Sequence, residues 1–150
     1  MRVVLQRVSE AKVSVNQKVI GEINTGLLLL VGIAADDEPA DVDWLCKKIC
    51  NMRIFNDQDG KMNLSLLDVQ GDLLSISQFT LHASTKKGNR PSFIYAAKPE
   101  FAEKMYLQFN ENLAKLLGKK IQQGQFGADM KVSLLNDGPV TLIIDSKDKV

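Results

Sequence analysis

Histidine and cysteine are almost missing from this chain, and their scarcity narrows the chemistry before any motif is sought. The 150 residues include one histidine, His82, and two cysteines, Cys46 and Cys50. A metal centre needs several such ligands gathered at short spacing, so neither a metal site nor a cofactor is expected. The two thiols are four residues apart and make no disulfide framework. If Ala40–Met52 is helical, they share one face as reduced, partly buried side chains. A Cys–His pair has no support, and a Ser-His-Asp triad would have only His82 as its base, with a surface or structural histidine as the alternative. An excess of charge is lacking too: 19 basic residues against 18 acidic leave a net +1. Broad, non-specific binding along a nucleic-acid backbone is therefore disfavoured, no DNA partner is expected, and any polyanion must meet a local patch. Finally, there is no long hydrophobic run. The longest, Gly26 to Ala35, is about half of the roughly 20 residues a membrane-spanning helix needs. Arg2, Gln6, Arg7 and Glu10 precede it and do not form a charged-then-apolar leader. No membrane association and a cytoplasmic location are the expectations.

What is present is ordinary globular material, 45% hydrophobic and 25% charged, enough for one domain over residues 1–150. Val3 and Leu5, then Ala11, Val13 and Val15, alternate with polar residues as half-buried strands do. Asn16-Gln17-Lys18 and Asn24-Thr25-Gly26 read as turns, and Leu27–Ile33 as a strand covered on both faces. Pro39, behind three acidic residues, opens a helix carrying Val42, Leu45, Ile49 and Met52 at helical spacing. Pro99 opens a second, with Phe101, Met105, Phe109, Leu113 and Leu116 on one stripe and Gly118 as the stop. Further strand patterns occupy Leu73–Leu81, Lys119–Phe126, Met130–Leu135 and Val140–Ile144. The predicted fold is α+β: a mainly antiparallel, curled or barrel-like sheet with two covering helices in a single domain.

Three segments hold residues suited to chemistry. In Ser75–Leu81, regular strand geometry sends Ser77, Phe79 and Leu81 to one face and Gln78, Thr80 and His82 to the other. A straight strand cannot aim the Ser77 and Thr80 hydroxyls at one pocket, and an amphipathic strand with terminal hydroxyls is the plain alternative. Asn136–Thr141 contains Gly138-Pro139, which between two strands is ordinarily a tight turn. Ser84–Phe93 carries Lys86, Lys87 and Arg90 beside glycine and serine donors, suited either to phosphates or to solvent.

Leu5-Gln6-Arg7-Val8, Gly60-Lys61-Met62-Asn63-Leu64, Ser77-Gln78-Phe79-Thr80-Leu81, Arg90-Pro91-Ser92-Phe93, Ala128-Asp129-Met130 and Asn136-Asp137-Gly138-Pro139-Val140-Thr141 follow one another in this order. Together they resemble the D-aminoacyl-tRNA deacylases, also called D-tyrosyl-tRNA deacylases, over essentially the whole chain. SQFTL with NxGPVT at this separation is specific; either alone is weak. A relative that edits L-alanine has PQATL at the first motif, so the resemblance favours the D-specific branch. It implies a homodimeric ester hydrolase acting on the acceptor end of aminoacyl-tRNA, without a cofactor. A cis Gly138-Pro139 bond would reach into the partner's site and leave no room for an L side chain, while glycine would pass. Ser77, Gln78, Phe79 and Thr80 would line the site, with backbone N–H groups near Phe79 and Thr80 holding the oxyanion. Arg7 would anchor the Gly-Pro loop, and Phe126 and Met130 would hold the terminal adenosine. The ribose 2′-hydroxyl next to the ester would assist attack by water in place of a side-chain base. Thr80 as a covalent nucleophile is the second mechanism. A catalytically silent RNA-binding or dimerisation module is the alternative from another class.

Overall fold

Alternating burial along Arg2–Val15 makes this segment one long strand, β1, the spine of a sheet seen in a computed structural model that describes residues 1–149. Val3 and Leu5 are buried on one face. The phase then slips at Val8, after which Ala11 and Val13 are buried. The slip matches register shifts between Gln6, Val8 and Glu10 in the pairing with the last strand. A turn at Asn16 and Gln17 leads to β2 (Lys18–Ile23) and then β3 (Gly26–Gly32), both antiparallel to β1. β3 is covered on both faces as its composition demands. Leu27, Leu29 and Val31 enter the larger core, whereas Leu28 joins Val8, Val13, Leu74 and Ile76 in a smaller one inside the curl.

Two helices cover the larger core. α1 (Pro39–Asn51) has proline in its first turn and a capping box in which the Glu38 N–H donates to Asp41 Oδ2 at 2.8 Å. A short hairpin of β4 (Phe55–Asn56) and β5 (Met62–Leu64), not anticipated, intervenes before β6 (Asp72–Ser77). α2 (Pro99–Leu117) ends at Gly118 and leads to the two-residue β7 (Gln122–Gln123) and to β8 (Lys131–Asp145). Met105, Phe109 and Leu113 are buried on α2, but Phe101 and Leu116 are more than a third exposed. Residues four apart advance about 400° around a helix, so the stripe drifts and leaves Phe101 at its start off the core face, which Ala102 and Tyr106 fill instead; Leu116 stays within that arc but lies in the last turn before Gly118.

The sheet is mainly antiparallel, as expected, but mixed rather than purely so: β1 pairs antiparallel with β2, β3 and β8, while β3–β6 and β6–β7 are parallel pairs. Each helix lies within the crossover joining two of these strands, and such connections return the chain in the same direction. β2 folds back near β6 and β7, so the sheet almost closes on itself. Gly21 permits that approach: a Cβ there would sit 3.2 Å from the Gln123 carbonyl oxygen. The predicted strand over Lys119–Phe126 contracts to two residues, and the two predicted over Met130–Leu135 and Val140–Ile144 are one strand, paired with β1 on both sides of an unpaired bulge at Asp137–Val140.

Candidate functional site

β6 stops at Ser77 because its neighbour stops. β3 ends at Gly32, the Gln78 N–H makes a last bond to the Val31 carbonyl at 2.7 Å, and the chain coils into a 3-10 helix over Phe79–His82. The strand predicted to continue through Leu81 is therefore interrupted at Ser77, within the segment singled out from the sequence. Coiling overcomes the alternation that would turn Gln78 away from Ser77 and Phe79, so that all three border one cavity, and the Gln78 side-chain amide donates to the Thr80 hydroxyl at 2.5 Å. The first residues of a helix have no preceding carbonyl to bond, which leaves the Phe79 and Thr80 N–H groups as free donors.

Ser77, Gln78 and Phe79 border a cavity of about 560 Å³ whose other walls include Ile76, Phe93, Ala102, Phe126 and Met130. That volume suits one drug-sized ligand with apolar walls and a few polar groups at one end. Phe79 and Phe93 meet edge to face, 5.1 Å between centroids. Behind the wall, Tyr106 is buried, lies 6.0 Å from the Phe126 ring and donates its hydroxyl to the Ser75 carbonyl at 2.8 Å. Burial pushes the Tyr106 phenol up, keeping it a neutral donor. Thr80 sits beside the cavity, joined to it through Gln78.

Asp129 also borders the cavity, its carboxylate 3.0 Å from Lys131 Nζ; the titratable candidates from the sequence lie elsewhere. His82 is buried, does not border the cavity, and its Nε2 has no hydrogen-bond partner among the described residues. Cys46 and Cys50 face the core from α1; burial pushes the Cys46 thiol up strongly and the Cys50 thiol to about 11. Both are protonated at neutral pH. Lys86, Lys87 and Arg90 occupy an exposed loop and form no ion pair among the described residues. Among those residues no group of three His, Cys, Asp or Glu side chains is placed to hold a metal ion.

Gly138 and Pro139 belong to a second cluster. Their peptide bond is cis, and they interrupt β8 beside Arg7. The Arg7 guanidinium is buried; Nε donates to the Asp137 carbonyl at 2.9 Å and Nη1 to the Ile54 carbonyl at 2.6 Å. Asn136 staples the loop from within: its Oδ1 accepts from the Val140 N–H and its Nδ2 donates to the Thr141 hydroxyl, each at 2.9 Å. Sequence reasoning singled out Arg7 but missed Ile54 and the Asn136–Thr141 staple. The staple's signal was present, since Asn side chains often bond backbone a few residues on in turns. Within one protomer the two clusters stay apart. β8, β1, β3 and β6 are successive neighbours, three spacings or about 14 Å across. Ser77 is aligned through Val31 and Val3 with Ile144, six residues and on the order of 20 Å along β8 from Gly138.

An apolar cavity for a ring system, flanked by hydroxyl, amide and free backbone donors, is the kind of cleft in which acyl esters are held and cleaved. The family model described as D-Tyr-tRNA(Tyr) deacylase matches residues 4–145, and the chain belongs to that family. Curated relatives named D-aminoacyl-tRNA deacylase are 63% identical in Christiangramia forsetii, 60% in Flavobacterium johnsoniae and 58% in Bacteroides fragilis, each over 99% of both chains. A solved structure titled c-Myc DNA Unwinding Element Binding Protein is 40% identical, covers 97% of this chain and 98% of its own, and superposes with a TM-score of 0.92. Another, described as a probable eukaryotic D-amino acid tRNA deacylase, shares the fold at 17% identity and a TM-score of 0.83, covering 95% of this chain and 97% of its own. The protein is thus a hydrolase of the D-aminoacyl-tRNA deacylase kind.

Proposed function

We propose that two copies of this chain together cleave the ester between a D-amino acid and the terminal adenosine of tRNA, and that they also clear glycine misplaced on the tRNA for alanine. The observation carrying the reading is that Ser77, Gln78 and Phe79 share one cavity with Phe126 and Met130. Phe126 and Met130 hold the adenosine. Ser77, Gln78 and Thr80 surround the ester, and the N–H groups of Phe79 and Thr80 receive the oxyanion. Water attacks with help from the neighbouring ribose 2′-hydroxyl, since no side chain bordering the cavity is a histidine. Thr80 positions rather than attacks: the one side-chain partner of its hydroxyl among the described residues is the Gln78 amide, which is no base.

Rejection of L substrates falls to the Gly138-Pro139 segment of the other copy, held by Arg7 and Asn136. Its separation from Ser77 within one protomer supports supply across a dimer. So does the outer edge of β8, which pairs with nothing else among the described residues and exposes Leu135 and Ile143. A filter that excludes an L side chain has nothing to exclude in glycine. Exclusion also discriminates more strongly than apolar attraction, worth only about 1–3 kcal/mol per methylene. The 40%-identical structure is titled for a DNA element, but a net charge of +1 offers no broad basic surface for duplex DNA. We place the work in the cytoplasm with its tRNA substrate; no helix among the described residues is long and apolar enough to cross a membrane.

The test is release of free amino acid from matched D-, L- and glycyl-tRNAs under substoichiometric protein. Multiple turnovers on D- and glycyl-tRNA with L-tRNA spared are expected. Binding without release would make the chain a silent RNA-binding module, and cleavage of L-tRNA at a similar rate would remove the chiral filter.

A further inference from the structure

The rim of the cavity carries an aromatic side chain where turn chemistry would not place one. Phe93–Ala96 is a tight turn closed by the Ala96 N–H on the Phe93 carbonyl at 3.1 Å. Phe93 and Ala96 border the cavity, while the two corner residues, Ile94 and Tyr95, point outward, 77% and 57% exposed. Turn corners ordinarily take Gly, Asn, Asp or Pro. Directly before this turn, Ser84 and Ser92 exchange two backbone bonds of 2.8 and 2.9 Å, closing a loop that bears Lys86, Lys87 and Arg90. The cationic loop, the aromatic corner and the cavity rim thus adjoin one another along the chain.

We infer that Tyr95 is a stacking shelf for the unpaired nucleotides preceding the terminal adenosine of tRNA, with Lys86, Lys87 and Arg90 following their phosphates. This rests on the deacylase reading above. A cavity of about 560 Å³ takes one drug-sized ligand, so the preceding nucleotides lie on its rim. Single-stranded nucleic acid is held by aromatic faces for bases alongside cations for phosphates, a pairing that tolerates any sequence. Three cations without ion pairs among the described residues match the charge of that occupant, whereas the apolar edge of β8 does not.

The experiment compares D-tyrosyl-tRNA with D-tyrosyl-adenosine, the same ester without the preceding nucleotides. Tyr95→Ala is expected to lower kcat/KM on the tRNA about tenfold and leave D-tyrosyl-adenosine unchanged, with Tyr95→Phe retaining parental rates on both. Equal loss on both substrates, or no loss on either, would overturn the shelf. Loss accompanied by a smaller mass in solution would reassign this face to a protein interface. A binding arm separates this inference from the deacylase reading. Uncharged RNA minihelices with overhangs of one to three nucleotides should bind the parent more tightly as the overhang grows, and Tyr95→Ala should lose that gain. No gain in the parent overturns the shelf even if the enzyme turns over; a gain without turnover retains it while the deacylase reading falls. Replacing Lys86, Lys87 and Arg90 with alanine should flatten the salt dependence of minihelix binding, and an unchanged slope would take the phosphates off the loop and overturn that part of the path.

Discussion

At the scale of single residues, the proposed reaction relies on placement where many hydrolases use a titrating histidine. His82, the one histidine, packs within the protein, its Nε2 without a partner among the described residues, and does not border the cavity. His82→Ala should therefore cost thermal stability yet leave kcat on D-aminoacyl-tRNA within a few-fold, measured below the melting transition. A fall of about 10²–10⁴, the effect of removing a general base, would restore a catalytic histidine. Gly138 is demanding in a different way. Its φ is +131°, and a Cβ there would lie 2.8 Å from Arg7 Nη2 and 3.0 Å from Val140 Cγ2. Gly138→Ala must therefore push the guanidinium off the Asp137 carbonyl or distort the loop. Steady-state kinetics should show at least about a tenfold loss of D-aminoacyl-tRNA turnover, given how steeply rate responds to misplacement near the reacting groups.

Among the elements, the terminal segment Ser146–Lys149 and the start of α1 hold each other. The Ser146 N–H bonds the Met1 carbonyl at 2.9 Å, Met1 forms a buried ion pair with Asp37, and Lys147 Nζ lies 2.9 Å from Asp41 Oδ2. Burial alone would raise the Asp41 carboxyl. Hydrogen bonds from Lys147, the Glu38 backbone and Ser146 outweigh it and lower the group from its ordinary 3.8 to about 2. Because the folded value lies below the unfolded one, this stabilisation is complete above pH ~4 and fades as pH falls towards 2. Asp41→Asn should lose about 1–2 kcal/mol at pH 7, discounted because Lys147 is 42% exposed. Its urea midpoint should also fall less steeply than the parent's between pH 4 and 2.5; parallel curves would show that Asp41 does not carry the acid dependence.

For the whole molecule, the two clusters are useful to each other only if a second copy brings Gly138-Pro139 to Ser77–Thr80. The exposed apolar edge of β8 is where that copy would sit. Ile143 is 69% and Leu135 57% exposed, so charging both costs an isolated protomer little. The double variant Leu135→Glu with Ile143→Lys should keep its circular dichroism and melt near the parent while its mass in solution drops from dimer to monomer. Deacylation should disappear with the dimer. A monomer that still cleaves D-aminoacyl-tRNA and spares L would show that one chain supplies the whole filter.

Local pattern was legible wherever burial repeats at the period of its element. Val3 and Leu5 announced β1, the unbroken apolar run of Leu27–Ile33 announced a strand covered on both sides, and Pro39, Pro99 and Gly118 marked helix ends that the structure keeps. The paired motifs around Ser77–Thr80 and Gly138-Pro139 pointed to the family from the sequence alone. Tertiary structure decided what depends on a partner strand. β6 ends at Ser77 because β3 ends at Gly32, and that ending brings Ser77, Gln78 and Phe79 to one cavity. The predicted strand patterns on either side of Gly138-Pro139 join into β8 because β1 is long enough to pair with both. Residue periodicity reports which side chains avoid water; it carries no record of where a neighbour stops, and the proposed site begins at such a stop.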